Sequence, residues 1–142
     1  MENQENKSMI EAIKEFISKC PLLKNGKINV DYLGNEVSDY SIEVVPADVV
    51  IQKYLDGSED RQLICVFASR ESYSEDVIQN ILNSKFYEDF SEWIETQNDN
   101  GILPQIDGIE SIECTSPGYA FQTSENMARY QIQMRVLYTK NK

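Results

Sequence analysis

With no histidine in the chain, its reactive side chains are carboxylates and thiols. Glu88, Glu92 and Glu95 recur at helical spacing. Paired carboxylates can act as general acid and base when burial drives their pKa values apart. These three fall opposite an apolar stripe of the same segment, which predicts exposure rather than the burial such tuning needs. Cys20, Cys65 and Cys114 are far apart, odd in number and without a C-x-x-C spacing, which argues against zinc and for reduced thiols packed as small hydrophobes. Asp56, Glu59 and Asp60 surround Gly57 and offer oxygen donors, but the remaining ligands of a calcium loop are missing and Asp-Gly reads as a turn. Without histidine neither a Ser-His-Asp nor a Cys-His site can be built within the chain. There is no G-x-G-x-x-G and no G-x-x-x-x-G-K. No catalytic, cofactor-binding or metal-binding residue is assigned, and an enzyme is not expected.

The elements that would carry these side chains are organised around the stretch Arg61–Asn98. Arg61-Gln-Leu-Ile-Cys-Val-Phe-Ala-Ser69 has the length of a strand and is apolar on both faces from Leu63 to Ala68, which predicts a central or doubly covered strand. A long helix follows to about Gln97, capped by Ser72 with Glu75, or by Ser74. Its expected apolar stripe is Ile78, Ile81, Leu82, Phe86, Phe90, Trp93 and Ile94.

Before this centre, Ser8 and Glu11 form a capping box for a helix carrying Ile10, Ile13, Phe16, Ile17 and Cys20, ended at about Pro21. Residues 1–7 read as frayed. Asn25-Gly26 is a turn signal. Lys27–Leu33 alternates, with Ile28, Val30 and Tyr32 on one face, and Tyr40, Ile42 and Val44 alternate in a second strand that stops before Pro46. Val49–Leu55 and Arg61–Ser69 flank a polar Gly-containing loop and predict a β-hairpin. After the long helix, Gly108–Thr115 predicts a strand, broken at Ser116-Pro117-Gly118 before Tyr119–Phe121. Thr123–Ala128 is a turn region, and Tyr130–Tyr138 alternates as a half-buried antiparallel strand. The fold class expected is α+β in a single domain over residues 1–142: a mostly antiparallel sheet with an N-terminal helix and a long central helix packed on it.

Length, composition and charge agree with one soluble domain. The chain has 142 residues, 41% apolar and 26% charged, enough for one core without disulfides. No apolar run reaches the ~18–20 residues of a membrane span, and the polar, acidic N-terminus does not read as a signal peptide, so intracellular synthesis and no membrane partner are expected. The net charge of −11 is unevenly placed. From Glu71 to Glu113 there are eleven carboxylates and one base, Lys85. Such a chain is not expected to bind nucleic-acid phosphates. The cluster suits a solvated helix face, a basic partner, or a passage through which an anion must slide without sticking.

Several stretches in order along the chain, between about Ile10 and Tyr138, resemble a family of tailed bacteriophages and prophages of Gram-positive bacteria. They are Cys20-Pro-Leu-Leu23, Ile28-Asn-Val-Asp-Tyr-Leu33, Asp39-Tyr-Ser-Ile42, Lys53-Tyr-Leu-Asp-Gly-Ser58, Phe67-Ala-Ser-Arg-Glu71 and Arg129-Tyr-Gln-Ile-Gln133. Members are described as minor capsid or tail-terminator-like proteins, and some carry a chloramphenicol-resistance label. The absence of histidine speaks against that label, because acetyl transfer of the usual type uses one. The resemblance implies a structural protein at the head–tail junction, a tail terminator capping the tail tube, with tail-tube and head–tail connector proteins as partners. It implies a homo-oligomeric ring, commonly a hexamer, assembled in the bacterial cytoplasm and then part of the virion, and no active site. Within that reading Glu88, Glu92 and Glu95 are candidates to face the channel. Asp56, Glu59 and Asp60 on a polar projecting loop, and Gln131, Gln133 and Arg135 on a strand expected at a sheet edge, are candidate protein contacts. The alternative from a different class is an acidic protein-binding module, a DNA mimic or an inhibitor of a basic partner.

Overall fold

The computed structural model describes residues 8–23, 28–36, 39–73, 77–124 and 126–142; the Asn25-Gly26 turn and the cap at Ser74–Asp76 lie outside them. The elements are α1 (Met9–Ile17), β1 (Ile28–Val30), β2 (Tyr40–Val45), β3 (Val50–Lys53), β4 (Glu59–Ser72), α2 (Val77–Asp99), β5 (Ile109–Cys114), β6 (Tyr119–Thr123) and β7 (Met127–Lys140). The fold is α+β, with a mixed but mostly antiparallel seven-stranded sheet among the described residues.

The sheet is built on β4 and β7, which pair antiparallel along their full length from Glu59↔Lys140 to Ser72↔Met127. One flank of β4 takes β2 opposite residues 64–69 and β3 opposite residues 59–61. One flank of β7 takes β5 and β6 end to end. β1 adds outside β2, and theirs is the one parallel pair among the described residues. The expected central position of the Arg61–Ser69 run follows, and Cys65–Ser69 is buried without interruption. The edge position expected for Gln131–Tyr138 does not: β7 is hydrogen-bonded on both sides. Alternation reports that a strand has one covered face, and says nothing about how many neighbours it has.

Even-numbered residues of β7 and odd-numbered residues of β4 share one face with Tyr40 and Ile42 of β2, and both helices pack there. Phe67, Ile132, Met134, Val136, Phe90 and Ile94 are at most 1% exposed. Aromatic rings make the centre: Phe67 stacks on Phe90 at 4.6 Å and on Tyr40 at 5.5 Å, and Phe16 of α1 meets Trp93 of α2 at 5.2 Å. Offset aromatic pairs of this kind add about 0.5–1.5 kcal/mol beyond burial. The N-terminal helix starts as expected, with Ser8 Oγ accepting from the Glu11 N–H at 3.2 Å.

The buried stripe of α2 departs from expectation. Ile81 and Leu82 are 59% and 55% exposed, whereas Asn83, Tyr87, Phe90 and Ile94 face the sheet. Polar side chains hold this face down. Asn83 Nδ2 donates to the Ser72 C=O at 2.8 Å, so Ser72 ends β4 instead of capping the helix. The Tyr87 hydroxyl donates to the Tyr130 C=O at 3.1 Å and lies 2.6 Å from Ser69 Oγ. A phenol has one proton, so Ser69 donates the second bond. Asn98 Oδ1 accepts from the Ile112 N–H at 3.0 Å while its Nδ2 donates to the Ile112 C=O, occupying outward-facing peptide groups of edge strand β5. In β1, the Ile28/Val30 face is present, but Asp31 turns the chain at φ 55° and leaves Tyr32 62% exposed.

Tyr87→Phe removes one hydroxyl and strands the Tyr130 carbonyl and Ser69 in the core. It should lower unfolding stability by about 1–3 kcal/mol, and Phe90→Ala by about 3–5 kcal/mol. Both are read as urea midpoints at unchanged slope.

Candidate interaction surfaces

The β3–β4 hairpin projects at the end of the sheet where β4 meets Thr139 and Lys140. Its turn is tightly bonded. The Tyr54 N–H donates to the Ser58 C=O at 3.0 Å and the Gly57 N–H to the Tyr54 C=O at 3.0 Å. Asp56 Oδ1 accepts from both the Ser58 N–H (2.8 Å) and its hydroxyl (2.6 Å). Gly57 sits at φ +93°, a conformation other residues reach only with strain. Of the acids expected to offer contacts, Asp56 is used in this turn. Glu59 holds Arg61 at 2.7 Å, and Asp60 accepts from the Tyr54 hydroxyl at 2.6 Å and from Thr139 Oγ1 at 3.2 Å. The hairpin exposes apolar side chains beside polar ones: Val49, Ile51 and Tyr54 are about half exposed and Leu55 is 109% exposed, next to the exposed Gln52, Lys53 and Asp56.

The sheet face opposite the helices carries a polar network. Arg129 grips Glu43 with two parallel bonds, Nη1 to Oε2 at 3.1 Å and Nη2 to Oε1 at 2.7 Å. Arg129 Nε donates to Gln131 Oε1 at 3.0 Å, and Gln131 Nε2 to the Tyr119 hydroxyl at 2.9 Å. The Arg129 guanidinium also lies over Phe121 at 5.5 Å. Further along, Gln133 Nε2 donates to Thr115 Oγ1 at 3.2 Å, and Arg135 pairs with Glu113. Gln131, expected as a contact residue, is buried, and Gln133 and Arg135 are half-buried in this network. Arg61 is engaged by Glu59, and Arg70 donates to the Gly34 C=O at 3.1 Å. All four arginines of the chain thus have partners within it.

Glu88, Glu92 and Glu95 are exposed on the outward side of α2, with Lys85 paired to Asp89 at 3.2 Å nearby. Burial of the thiols is uneven. Cys20 and Cys65 are buried and Cys114 is half-buried; desolvation pushes Cys65 up to about 12 and Cys114 up to about 11. No helix among the described residues is long and apolar enough to cross a membrane, and among them no group of three or more acids or cysteines converges on a metal position. The exposure of Val49, Ile51, Tyr54 and Leu55 has no signal in the sequence, where Val49–Leu55 reads as an ordinary half-buried strand. No family model and no curated protein matches the chain.

The Glu43 carboxyl is held below its ordinary range, first by hydrogen bonds from Arg129, against partial burial, and further by the charge of Arg129 and by Ser41. Its folded value lies below its unfolded one, so the pair stabilises the fold above the ordinary carboxylate range and that contribution is lost as pH falls through the lowered value. Glu43→Gln should therefore lower stability at neutral pH and flatten the acid limb of the stability curve, measured as urea midpoints across the acid range. For the thiols, alkylation by iodoacetamide should proceed in native protein at a small fraction of the rate in urea, followed by intact mass.

Proposed function

We propose that this chain is a structural component of a phage or prophage virion at the head–tail junction, a tail terminator that caps the tail tube and acts without catalysis. The observation that carries this reading is where the family-like stretches fall in the fold. Lys53–Ser58 is the projecting hairpin turn, Phe67–Glu71 is the buried half of β4, and Arg129–Gln133 is the β7 segment that pairs with it and holds Glu43. The resemblance therefore covers both the core and a surface suited to protein contact, as expected for an assembly protein. On this reading the partners are the tail-tube and head–tail connector proteins, the assembled form is a homo-oligomeric ring such as a hexamer, and the protein passes from the bacterial cytoplasm into the virion. The exposed Glu88, Glu92 and Glu95 would line the passage, where like charge keeps DNA from adhering.

The acidic outer side of α2 supports a second reading, a module that binds a basic protein. Light scattering separates the two. The tail-terminator reading expects a ring, or a complex with tail-tube protein that halts tube growth at fixed length. A monomer indifferent to tube protein, but bound by a basic partner in a salt-sensitive way, would replace it with the second.

A further inference from the structure

We infer that the outward edge of β6 takes an extended, basic segment of a partner protein as an added strand, with Glu88 of α2 receiving one of its cationic side chains. The site goes beyond the virion reading and does not rest on it.

The sheet ends on one flank at β1 and β3 and on the other at β5 and β6. Unpaired peptide groups on such an edge are a template for another strand. Three of these four edge strands are shortened or capped. β1 has 3 residues and ends where Asp31 turns the chain. β3 carries Lys53, whose carbonyl is taken by Gln52 Nε2 at 3.1 Å. In β5 the Asn98 amide occupies the Ile112 N–H and C=O. β6 differs. Its residues, Tyr119-Ala-Phe-Gln-Thr123, include no charge and are all exposed, and its peptide groups bond only to β7 among the described residues. The register shift between Ala120 and Gln122 bends the strand but leaves its outward groups open.

The surroundings define the occupant. Gly118, just before β6, lies against Tyr87, where an added Cβ would come 2.3 Å from the Tyr87 Cβ. Ser91 bonds the Cys114 thiol, and Asn98 reaches Ile112. One side of α2 therefore runs along the β5–β6 flank. At about 100° per residue, Ser84 and Glu88 lie within about 60° of Ser91 and share that side. Asn80, Ile81, Ser84, Lys85 and Glu88 frame a shallow recess there of about 450 Å³. Lys85 is paired to Asp89, whereas Glu88 is exposed and has no ion pair among the described residues. On the opposite face of the sheet, Tyr119 and Phe121 are 41% and 53% exposed beside Gln131 and Arg129. Successive side chains of an added strand point to opposite faces, so alternate residues meet the two aromatic rings and the α2 side. Apolar residues suit the first. A lysine or arginine suits the second, its stem along Ile81 and its charge at Glu88. A basic segment is also drawn to a chain of net charge −11, whereas a second copy would bring the same charge and be repelled. Backbone pairing supplies the affinity and the side-chain contacts the specificity.

The test uses the whole chain and a short fluorescent peptide alternating lysine and valine, followed by anisotropy and by amide hydrogen exchange. Binding should slow exchange of the outward amides of Tyr119–Thr123 and leave β1 and β3 unchanged. Methylating the peptide's backbone nitrogens keeps its charge but removes its strand edge, and should abolish binding. Replacing its lysines by glutamates should abolish it as well. Glu88→Gln, at an exposed position, should weaken binding about two- to fivefold, and added salt should weaken it further. An absence of binding, protection at another edge, equal binding of the N-methylated peptide, or indifference to both Glu88→Gln and salt would each overturn the site. Protection of Tyr119–Thr123 that rises with protein concentration in the absence of peptide would assign the edge to a second copy, and would overturn it too.

Discussion

Every other element depends on the unbroken ladder between β4 and β7. Fourteen residues of each strand pair in a single register, without a bulge, from Glu59↔Lys140 to Ser72↔Met127. Because side chains alternate across a strand, that register assigns Phe67, Cys65, Ile132, Met134 and Val136 to one face and Arg129, Gln131, Gln133 and Arg135 to the other. A slip of one residue would send the arginines under α2 and the core hydrophobes into solvent. The short strands need no such precision. β2, β3, β5 and β6 each pair with only part of the ladder, and β3, β5 and β6 each absorb a register shift against it.

The two faces solve the burial of polar groups differently. Under the helices, the sheet meets α2 through aromatic rings and a few amides and hydroxyls aimed at specific carbonyls: Asn83 at Ser72, Tyr87 at Tyr130, Asn98 at Ile112. Each satisfies a backbone group in a region where an unpaired one is costly. They also fix where along the sheet the helix lies, which stacked rings alone define poorly. On the other face no helix among the described residues covers the strands, yet Ala68 is fully buried and Val66 nearly so. Long side chains from β2 and β7, above all the Glu43–Arg129 pair, shield them there. That pair is only partly exposed and is held bidentately, so it is stronger than an ordinary surface ion pair.

The surfaces left over include an acidic helix side, a polar sheet face, and a hairpin at one end that exposes apolar and polar side chains together. The projecting hairpin was legible as a hairpin, from the Asp56-Gly57 turn between two apolar runs. That Val49, Ile51, Tyr54 and Leu55 would stay exposed beside Gln52, Lys53 and Asp56 was not, because alternation along a segment does not show whether anything covers its face. The stripe of α2 was misread at Ile81 and Leu82. At about 100° per residue, Ile81 lies on the far side of the helix from Asn83, Tyr87, Phe90 and Ile94, and Leu82 lies to one side, so neither faces the sheet. Asn83 and Tyr87 were overlooked because a polar side chain is buried only where a partner waits for it, and their partners are carbonyls and a hydroxyl distant in sequence.

By itself, the amino-acid order determined the α+β class, the two helices, the long central strand, the break at Ser116–Gly118 and the concentration of negative charge between Glu71 and Glu113. These follow from local periods, turn chemistry and charge counting, which act over a few residues at a time. Only the tertiary structure decided that β7 is central, that its arginines are neutralised by Glu43 and Glu113, and that Leu55 is left fully exposed at the hairpin turn. Those features depend on which strands become neighbours, and alternation along a strand is the same at the centre of a sheet as at its edge.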